Sequence, residues 1–138
     1  MKKASLYHIQ LNVSKKDSIE FYNEFLCYFG YNVIDESEEN IGLSNGTTDF
    51  WIIQTNKKYF GNKFNRKNTG LNHLAFRVNS RKEVDEFVNT FLKKRKIKAL
   101  YNSPKEFPEY NEEYYAVYFE DPDRIKLEVV FVGNKVKE

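Results

Sequence analysis

The chain has 138 residues, 41% of them hydrophobic and 17% aromatic, which suits one compact unit or two small ones sharing a core. Its 22 Lys and Arg against 20 Asp and Glu leave a net charge of +2, which gives no sign of a nucleic-acid partner. The single cysteine excludes an internal disulfide, and no apolar stretch approaches the length of a membrane span. The first residues lack the apolar run of a signal peptide, so we expect a cytoplasmic protein.

The main feature of the chain is an internal repeat. Residues 6–13 and 71–78 share the pattern Leu-x-His-aliphatic-x-apolar-x-Val, and the only two histidines, His8 and His73, occupy its same position. Both copies alternate with a period of two, which predicts strands. In each strand the histidine lies on the less apolar face, opposite the residues that would enter a core.

Each of these strands runs into a predicted helix. Ser80 with Glu83 forms a capping-box pattern, and Ser14 with Asp17 is a weaker version of it. The first helix should end at Gly30, whereas the second should end in the basic run at residues 93–96. Cys27 lies among apolar residues of the first helix, so we interpret it as a buried core residue rather than a nucleophile.

Three short extended pieces follow each helix. In the first half they span residues 31–35, 41–43 and 49–54, with a turn signal at Asn45-Gly46. In the second half they span residues 98–102, 113–119 and 125–131, and Pro104 and Pro108 are expected to break the chain between the first two. The polar stretch at residues 56–69 is predicted to be a linker.

The organisation is therefore βαβββ, repeated twice. Module 1 spans about residues 5–55 and module 2 about residues 70–132, within a single domain over residues 1–138. We predict an α+β fold in which two paired βαβββ modules form a curved, mostly antiparallel eight-stranded cup with helices outside. The histidine-bearing face would line the hollow of that cup.

The last predicted strand carries a carboxylate that needs a partner. Ile125, Leu127 and Val129 alternate along this strand, so Glu128 points to the opposite face. A carboxylate there requires a cation, a donor or a wet cavity, because burial removes its hydration. Glu128 is either part of a solvated strand face or, with His8 and His73, one of three ligands for a divalent first-row metal.

The chain resembles the vicinal oxygen chelate superfamily, which includes glyoxalase I, extradiol dioxygenases, methylmalonyl-CoA epimerases, fosfomycin-resistance enzymes and bleomycin-binding proteins. The resemblance covers about residues 5–132. Its most specific parts are the strand Asn-His-Leu-Ala-Phe-Arg-Val and the turn Phe-Glu-Asp-Pro-Asp followed by Lys-Leu-Glu. It implies the paired βαβββ fold, metal ligands at His8, His73 and Glu128, a Mn, Fe, Ni or Zn ion, and a homodimer.

Several residues depart from the family patterns. Arg124 stands where the family turn usually has Gly, so either the turn differs or Arg124 is strained. The strand that carries a fourth ligand in glyoxalase I offers no carboxylate at its far end here, although Gln54 could be a neutral ligand, as a Gln is in the epimerases. Tyr118 matches a Tyr of the dioxygenases and fosfomycin enzymes and is a candidate catalytic residue or a simple core aromatic.

Two functions remain open. The first is a metalloenzyme of lyase or oxidoreductase type acting on a small oxygen-chelating substrate, with Tyr118 or a metal-bound water moving the proton. The second is a metal-free protein that sequesters an aromatic drug, as bleomycin-binding proteins do. Candidate substrate contacts are Gln10, Trp51 and Tyr114. A fosfomycin-type transferase is a further alternative, but Gln10 replaces a small hydroxyl residue and three glutamates at positions 109, 112 and 113 would repel a dianion.

Overall fold

The computed structural model describes residues 1–133. Contacts between residues divide the chain into two compact units, the first spanning Met1–Lys63 and the second beginning at Phe64. The boundary lies inside the stretch predicted as a linker. Part of this stretch is ordered as a short 3₁₀ turn, Lys57–Tyr59.

The first unit is a βαβββ module. Its elements are β1 (His8–Val13), α1 (Lys16–Tyr28), β2 (Asn32–Glu36), β3 (Asn40–Ser44) and β4 (Asp49–Gln54). The strand order is β1-β4-β3-β2, with β1 parallel to β4 and the other pairs antiparallel. Helix α1 packs on β3 and β4.

The second unit repeats this arrangement. Its elements are β5 (His73–Val78), α2 (Arg81–Phe87), β6 (Leu100–Glu106), β7 (Tyr114–Glu120) and β8 (Lys126–Val132), and α2 continues as a π-helical turn over Val88–Leu92. The strand order is β5-β8-β7-β6, with β5 parallel to β8. The predicted α+β class and both βαβββ modules are confirmed.

In each unit the core lies between the helix and one face of the sheet. Alternate strand residues such as Ile52, Val117 and Leu127 are fully buried against helix residues such as Phe25 and Phe87. Burial of a large apolar side chain contributes roughly 1.5–3 kcal/mol, so this face fixes which strand residues point the other way. The histidine-bearing face of each sheet is therefore the one that does not pack on the helix.

The helix ends agree with the predictions in three of four cases, one of which is the end of the second helical stretch at Leu92, directly before the basic run. The Ser80 hydroxyl accepts a bond from the Glu83 N–H at 3.1 Å, and the Glu83 carboxylate accepts one from the Asn79 N–H at 2.8 Å. Gly30 has a φ of 87° directly after α1, as a helix-terminating glycine requires. The Ser14 cap is wrong, because α1 begins at Lys16 and its N-cap residue is Lys15, whose side chain makes no capping bond.

Two further predictions are wrong. Cys27 is exposed, with its sulfur 3.3 Å from the Asn23 amide oxygen, because it lies on the side of α1 away from the buried residues. Pro104 lies within β6 rather than between strands. The pairing of β6 with β7 is irregular between Leu100 and Lys105, so the missing N–H of Pro104 falls in this irregular stretch.

No helix among residues 1–133 is both long and apolar enough to span a membrane.

Gly42 makes a specific packing contact in the first unit. It pairs with Trp51 across β3 and β4, and a Cβ at this position would lie 2.5 Å from the indole ring. We predict that Gly42→Ala destabilises the protein by about 1–3 kcal/mol, because the rigid ring must move. The measurement is the midpoint of urea unfolding, with Gly61→Ala as control because a Cβ there meets nothing within 4 Å. Equal midpoints for the two variants would refute this contact.

Candidate functional site

Glu128 is the buried carboxylate of the second unit. Its side chain is 1% exposed and lies on the sheet face opposite Leu127 and Val129. One carboxylate oxygen is 3.0 Å from Nε2 of His73, and the other accepts a short hydrogen bond from the Tyr114 hydroxyl. The requirement for partners inferred from the sequence is therefore met by one imidazole and one phenol.

The strand register brings these groups together. Glu128 pairs with Ala75 on β5 and with Tyr118 on β7, and paired residues share a face of the sheet. His73 lies two residues before Ala75, so its ring reaches Glu128 from one side. Tyr114 and Tyr118 reach it from the other side. Three neighbouring strands thus build this part of the site.

Asn72 fixes the orientation of the His73 ring. Its amide nitrogen donates to the carbonyl of Arg66 at 3.3 Å, which leaves its amide oxygen to accept from Nδ1 of His73 at 2.7 Å. With Nδ1 as the donor, a neutral His73 presents the lone pair of Nε2 to Glu128. The 3.0 Å contact with the carboxylate is favourable when Nε2 carries a proton or when a cation is held by both groups.

The two tyrosines beside Glu128 hold their protons strongly. Burial, followed by the negative charge of Glu128, raises the pKa of Tyr118, and burial with the bond to Glu128 raises that of Tyr114. The Tyr118 ring also lies 5.9 Å from the His73 ring, measured between centroids. At neutral pH both phenols are therefore hydrogen-bond donors and not bases.

An aromatic cluster, Phe107, Tyr110, Tyr114 and Tyr118, extends this face. Phe107 contacts Tyr118 edge to face at 5.3 Å and stacks on Tyr110 at 5.9 Å, and Tyr110 is 56% exposed. The cluster thus offers an open ring next to buried ones. Such a surface can hold a flat apolar group by stacking.

The first unit carries its own set of predicted residues. His8 is exposed at the start of β1, with its ring 5.0 Å from that of Tyr7. The pairing of β1 with β4 puts His8, Gln10 and Trp51 on one face, while Gln54 pairs with Val13 on the other. Gln54 therefore does not share the face of His8.

The repeat identifies the counterpart of Glu128 in the first unit. Glu128 pairs with the residue two positions after His73, and the residue paired two positions after His8 is Trp51. An indole thus stands where the second unit has its carboxylate. The first unit therefore has no acidic ligand at this position. Its predicted metal ligand is His8.

Residues 1–133 contain no group of three or more His, Cys, Asp or Glu side chains gathered to hold a metal ion. His73 and Glu128 are the pair that the second unit brings together. The participation of His8 stays a prediction.

The turn before β8 keeps the geometry that a glycine would allow. The Asp121 carboxylate accepts bonds from the N–H groups of Asp123 at 2.7 Å and Ile125 at 2.8 Å. Arg124 adopts a φ of 67°, in the left-handed region, so of the two alternatives the strained one is observed. The cost is on the order of 1 kcal/mol, which the two bonds to the buried Asp121 carboxylate help to offset.

Tyr101 is a residue of this region that the sequence did not reveal. It has a φ of 59° and its side chain is 49% exposed. Its hydroxyl accepts a bond from Nζ of Lys126 at 3.2 Å, and its ring contacts that of Tyr118. Burial raises the pKa of Tyr101, but the hydrogen bonds and charges of Lys126 and Arg66 lower it by more, so the net shift is downward.

Comparison with known proteins places this geometry in context. No protein-family model matches the chain. An uncharacterized protein of Bacillus subtilis (strain 168), YqjT, is 32% identical over 126 residues, which are 91% of this chain and 97% of that protein. The crystal structure of a candidate glyoxalase from Bacillus halodurans is 37% identical, with a TM-score of 0.83 over 92% of this chain and 95% of that one. The structure of lactoylglutathione lyase from Agrobacterium tumefaciens shares the fold at 18% identity, with a TM-score of 0.64 over 95% and 96% of the two chains.

We predict that Tyr114→Phe lowers the free energy of unfolding by about 1–3 kcal/mol, because a buried carboxylate oxygen of Glu128 loses its donor. The measurement is urea unfolding at neutral pH. Tyr110→Phe is the matched control, since it removes the same atom from a largely exposed ring. If both variants unfold at the wild-type midpoint, the bond between Tyr114 and Glu128 contributes nothing to stability.

We also predict that Tyr101 ionises at lower pH than Tyr114, Tyr115 and Tyr118. Nearby cations lower the pKa of Tyr101, whereas burial raises those of the other three, that of Tyr115 to about 12. Phenolate absorbance at 295 nm, followed during alkaline titration, should lose its earliest phase in Tyr101→Phe. Tyr110→Phe serves as the control and should keep that phase.

Proposed function

The chain belongs to the glyoxalase-like proteins of the vicinal oxygen chelate superfamily, and on this premise we propose that it is a metal-dependent enzyme acting on a small substrate with chelating oxygens. The observation that carries the proposal is the buried Glu128 carboxylate, 3.0 Å from Nε2 of His73. A protein that only sequestered an apolar ligand would need neither group at this position.

The donor set fits a divalent cation. Nε2 of His73 and the Glu128 carboxylate lie 3.0 Å apart, and a cation bound by both would neutralise the buried charge of Glu128. Nδ1 is already occupied by Asn72, which is how metal-ligating histidines are usually oriented. His73 and Glu128 would hold the ion. Nitrogen and carboxylate ligands suit Mn, Fe, Ni or Zn without selecting one.

The chemistry such an ion supplies is Lewis acidity towards two substrate oxygens. The residues of the chain supply orientation and protons. Tyr114 donates to Glu128 and so holds the carboxylate in one orientation. Tyr118 keeps its proton at neutral pH and would donate a hydrogen bond to an oxyanion that forms on the substrate. The aromatic cluster excludes water from one side of that oxygen.

A binding function without chemistry is the second candidate. The aromatic cluster favours it, because Tyr110 is exposed and stacked on Phe107 in a way that leaves one ring face open. A flat ligand could bind there by stacking alone. In that function the proton between His73 and Glu128 would replace the metal, and the pair would serve only to support Tyr114.

Metal binding by the variant Glu128→Gln tests the proposal that the protein is a metalloenzyme. We predict that the tag-free wild type retains one divalent ion per chain after dialysis, measured by elemental analysis. Glu128→Gln removes the charge of a metal ligand. Loss of a group that only hydrogen-bonds to a ligand lowers metal affinity roughly 10–100-fold, so this variant should lower it by more. Glu109→Gln, a neutralised exposed carboxylate, should bind metal as the wild type does.

The opposite outcome supports the binding function. If the wild type retains no added ion and binds a flat aromatic ligand with an affinity that Glu128→Gln leaves unchanged, the metalloenzyme proposal is wrong.

A further inference from the structure

The second unit carries a basic patch next to the pair His73 and Glu128. The patch consists of Arg66, Lys67, Arg124 and Lys126. Lys126 is the strand partner of His73, so its side chain starts from the same face of the sheet as the His73 ring. Three patch residues, Arg66, Lys67 and Arg124, line a surface cavity of about 330 Å³ together with Phe64 and Asn65.

The patch retains an excess of positive charge. Glu120 is the carboxylate that pairs with it, at 2.5 Å from Arg66 and 3.4 Å from Arg124. Two of the four cations, Arg66 and Arg124, therefore share this one carboxylate. Lys67 and Lys126 make no ion pair with Glu120 in the described part of the chain, and Lys126 instead bonds to the hydroxyl of Tyr101.

Tyr101 acts as a probe of the potential at this surface. Lys126 and Arg66 both interact with its hydroxyl and favour its anionic form. A positive potential that stabilises a phenolate also stabilises any other oxyanion at the same distance. The left-handed backbone of Tyr101 and Asn102, with φ values of 59° and 55°, holds the ring in this place at a conformational cost, as strained residues at ligand sites do.

The loop that carries Arg66 is fixed by its own hydrogen bonds. The Asn65 side chain accepts from the Lys67 N–H at 2.9 Å, and the Asn72 amide holds the Arg66 carbonyl at 3.3 Å. Arg66 also donates to the Arg124 carbonyl at 3.4 Å. The cations are therefore arranged before a ligand arrives, which reduces the entropy lost on binding.

We propose that the basic patch, together with the Tyr101 hydroxyl, binds the anionic group of the substrate, a carboxylate or a phosphate, beside His73 and Glu128. This inference rests on the proposed function, because it names the charged end of the same substrate. Arg66 and Arg124 offer planar donors that match both oxyanions, and Lys126 adds a point charge nearest to His73. The substrate class is thus an acid or a phosphoester that also carries chelating oxygens.

Anion binding by the full-length protein tests the proposal without any metal. Protein stripped on chelating resin is titrated calorimetrically with inorganic phosphate and, separately, with malonate at constant ionic strength. We expect saturable binding of at least one probe, weakened about 10-fold or more by Lys126→Gln and by Arg66→Gln, as loss of a charge-assisted hydrogen bond predicts. Lys94→Gln removes the same charge elsewhere on this unit and should change the affinity by less than about twofold.

The two probes distinguish the two classes of anionic substrate. Tighter binding of phosphate identifies a phosphoester, and tighter binding of malonate identifies a carboxylic acid. No saturable heat with either probe overturns the proposal, as does an equal loss of affinity in Lys94→Gln and Lys126→Gln. Arg66 also pairs with Glu120, so Arg66→Gln could lose its fold. In that case the affinity of Lys126→Gln is the deciding measurement. Metal retention is measured on separate, unstripped samples of the same variants and is independent of these results, so failure here is distinguishable from failure of the metalloenzyme proposal.

Discussion

The contact between Glu128 and its two partners is the constraint on which the second unit depends. Removing a carboxylate from water costs several kcal/mol, and His73 and Tyr114 offset that cost only if three strands keep their register. A shift of one residue in β5 would turn His73 to the other face, and the same shift in β7 would turn Tyr114. The polar pair and the apolar core on the opposite face therefore enforce the same strand alignment, one through charge and the other through burial.

The sequence predicted the parts of the structure that local patterns determine. The repeat around His8 and His73 placed both βαβββ modules, and alternation around Glu128 placed its carboxylate away from the core, as the structure confirms. The cap at Ser80 and the end of α1 at Gly30 follow from signals within four residues. The pairing of the two modules into one cup, and His8 as a ligand, stay predictions.

The features that the sequence missed depend on distant or unusual backbone. Gln54 and Trp51 could not be assigned to a face until the register of β1 against β4 was known. Tyr101 gave no signal because a bulky residue rarely adopts the left-handed conformation. The buried prediction for Cys27 failed because apolar neighbours in sequence lie on several sides of a helix, and only periodicity separates them.

The position of Trp51 has a consequence for how the folding of the protein can be followed. It is the single tryptophan of the chain and it lies in the first unit, packed on Gly42. Indole emission therefore monitors that unit selectively, whereas far-ultraviolet circular dichroism monitors the backbone of both. Coincidence of the two denaturation curves is the standard criterion for a single cooperative transition, so this protein contains the optical label needed to learn whether its halves unfold together.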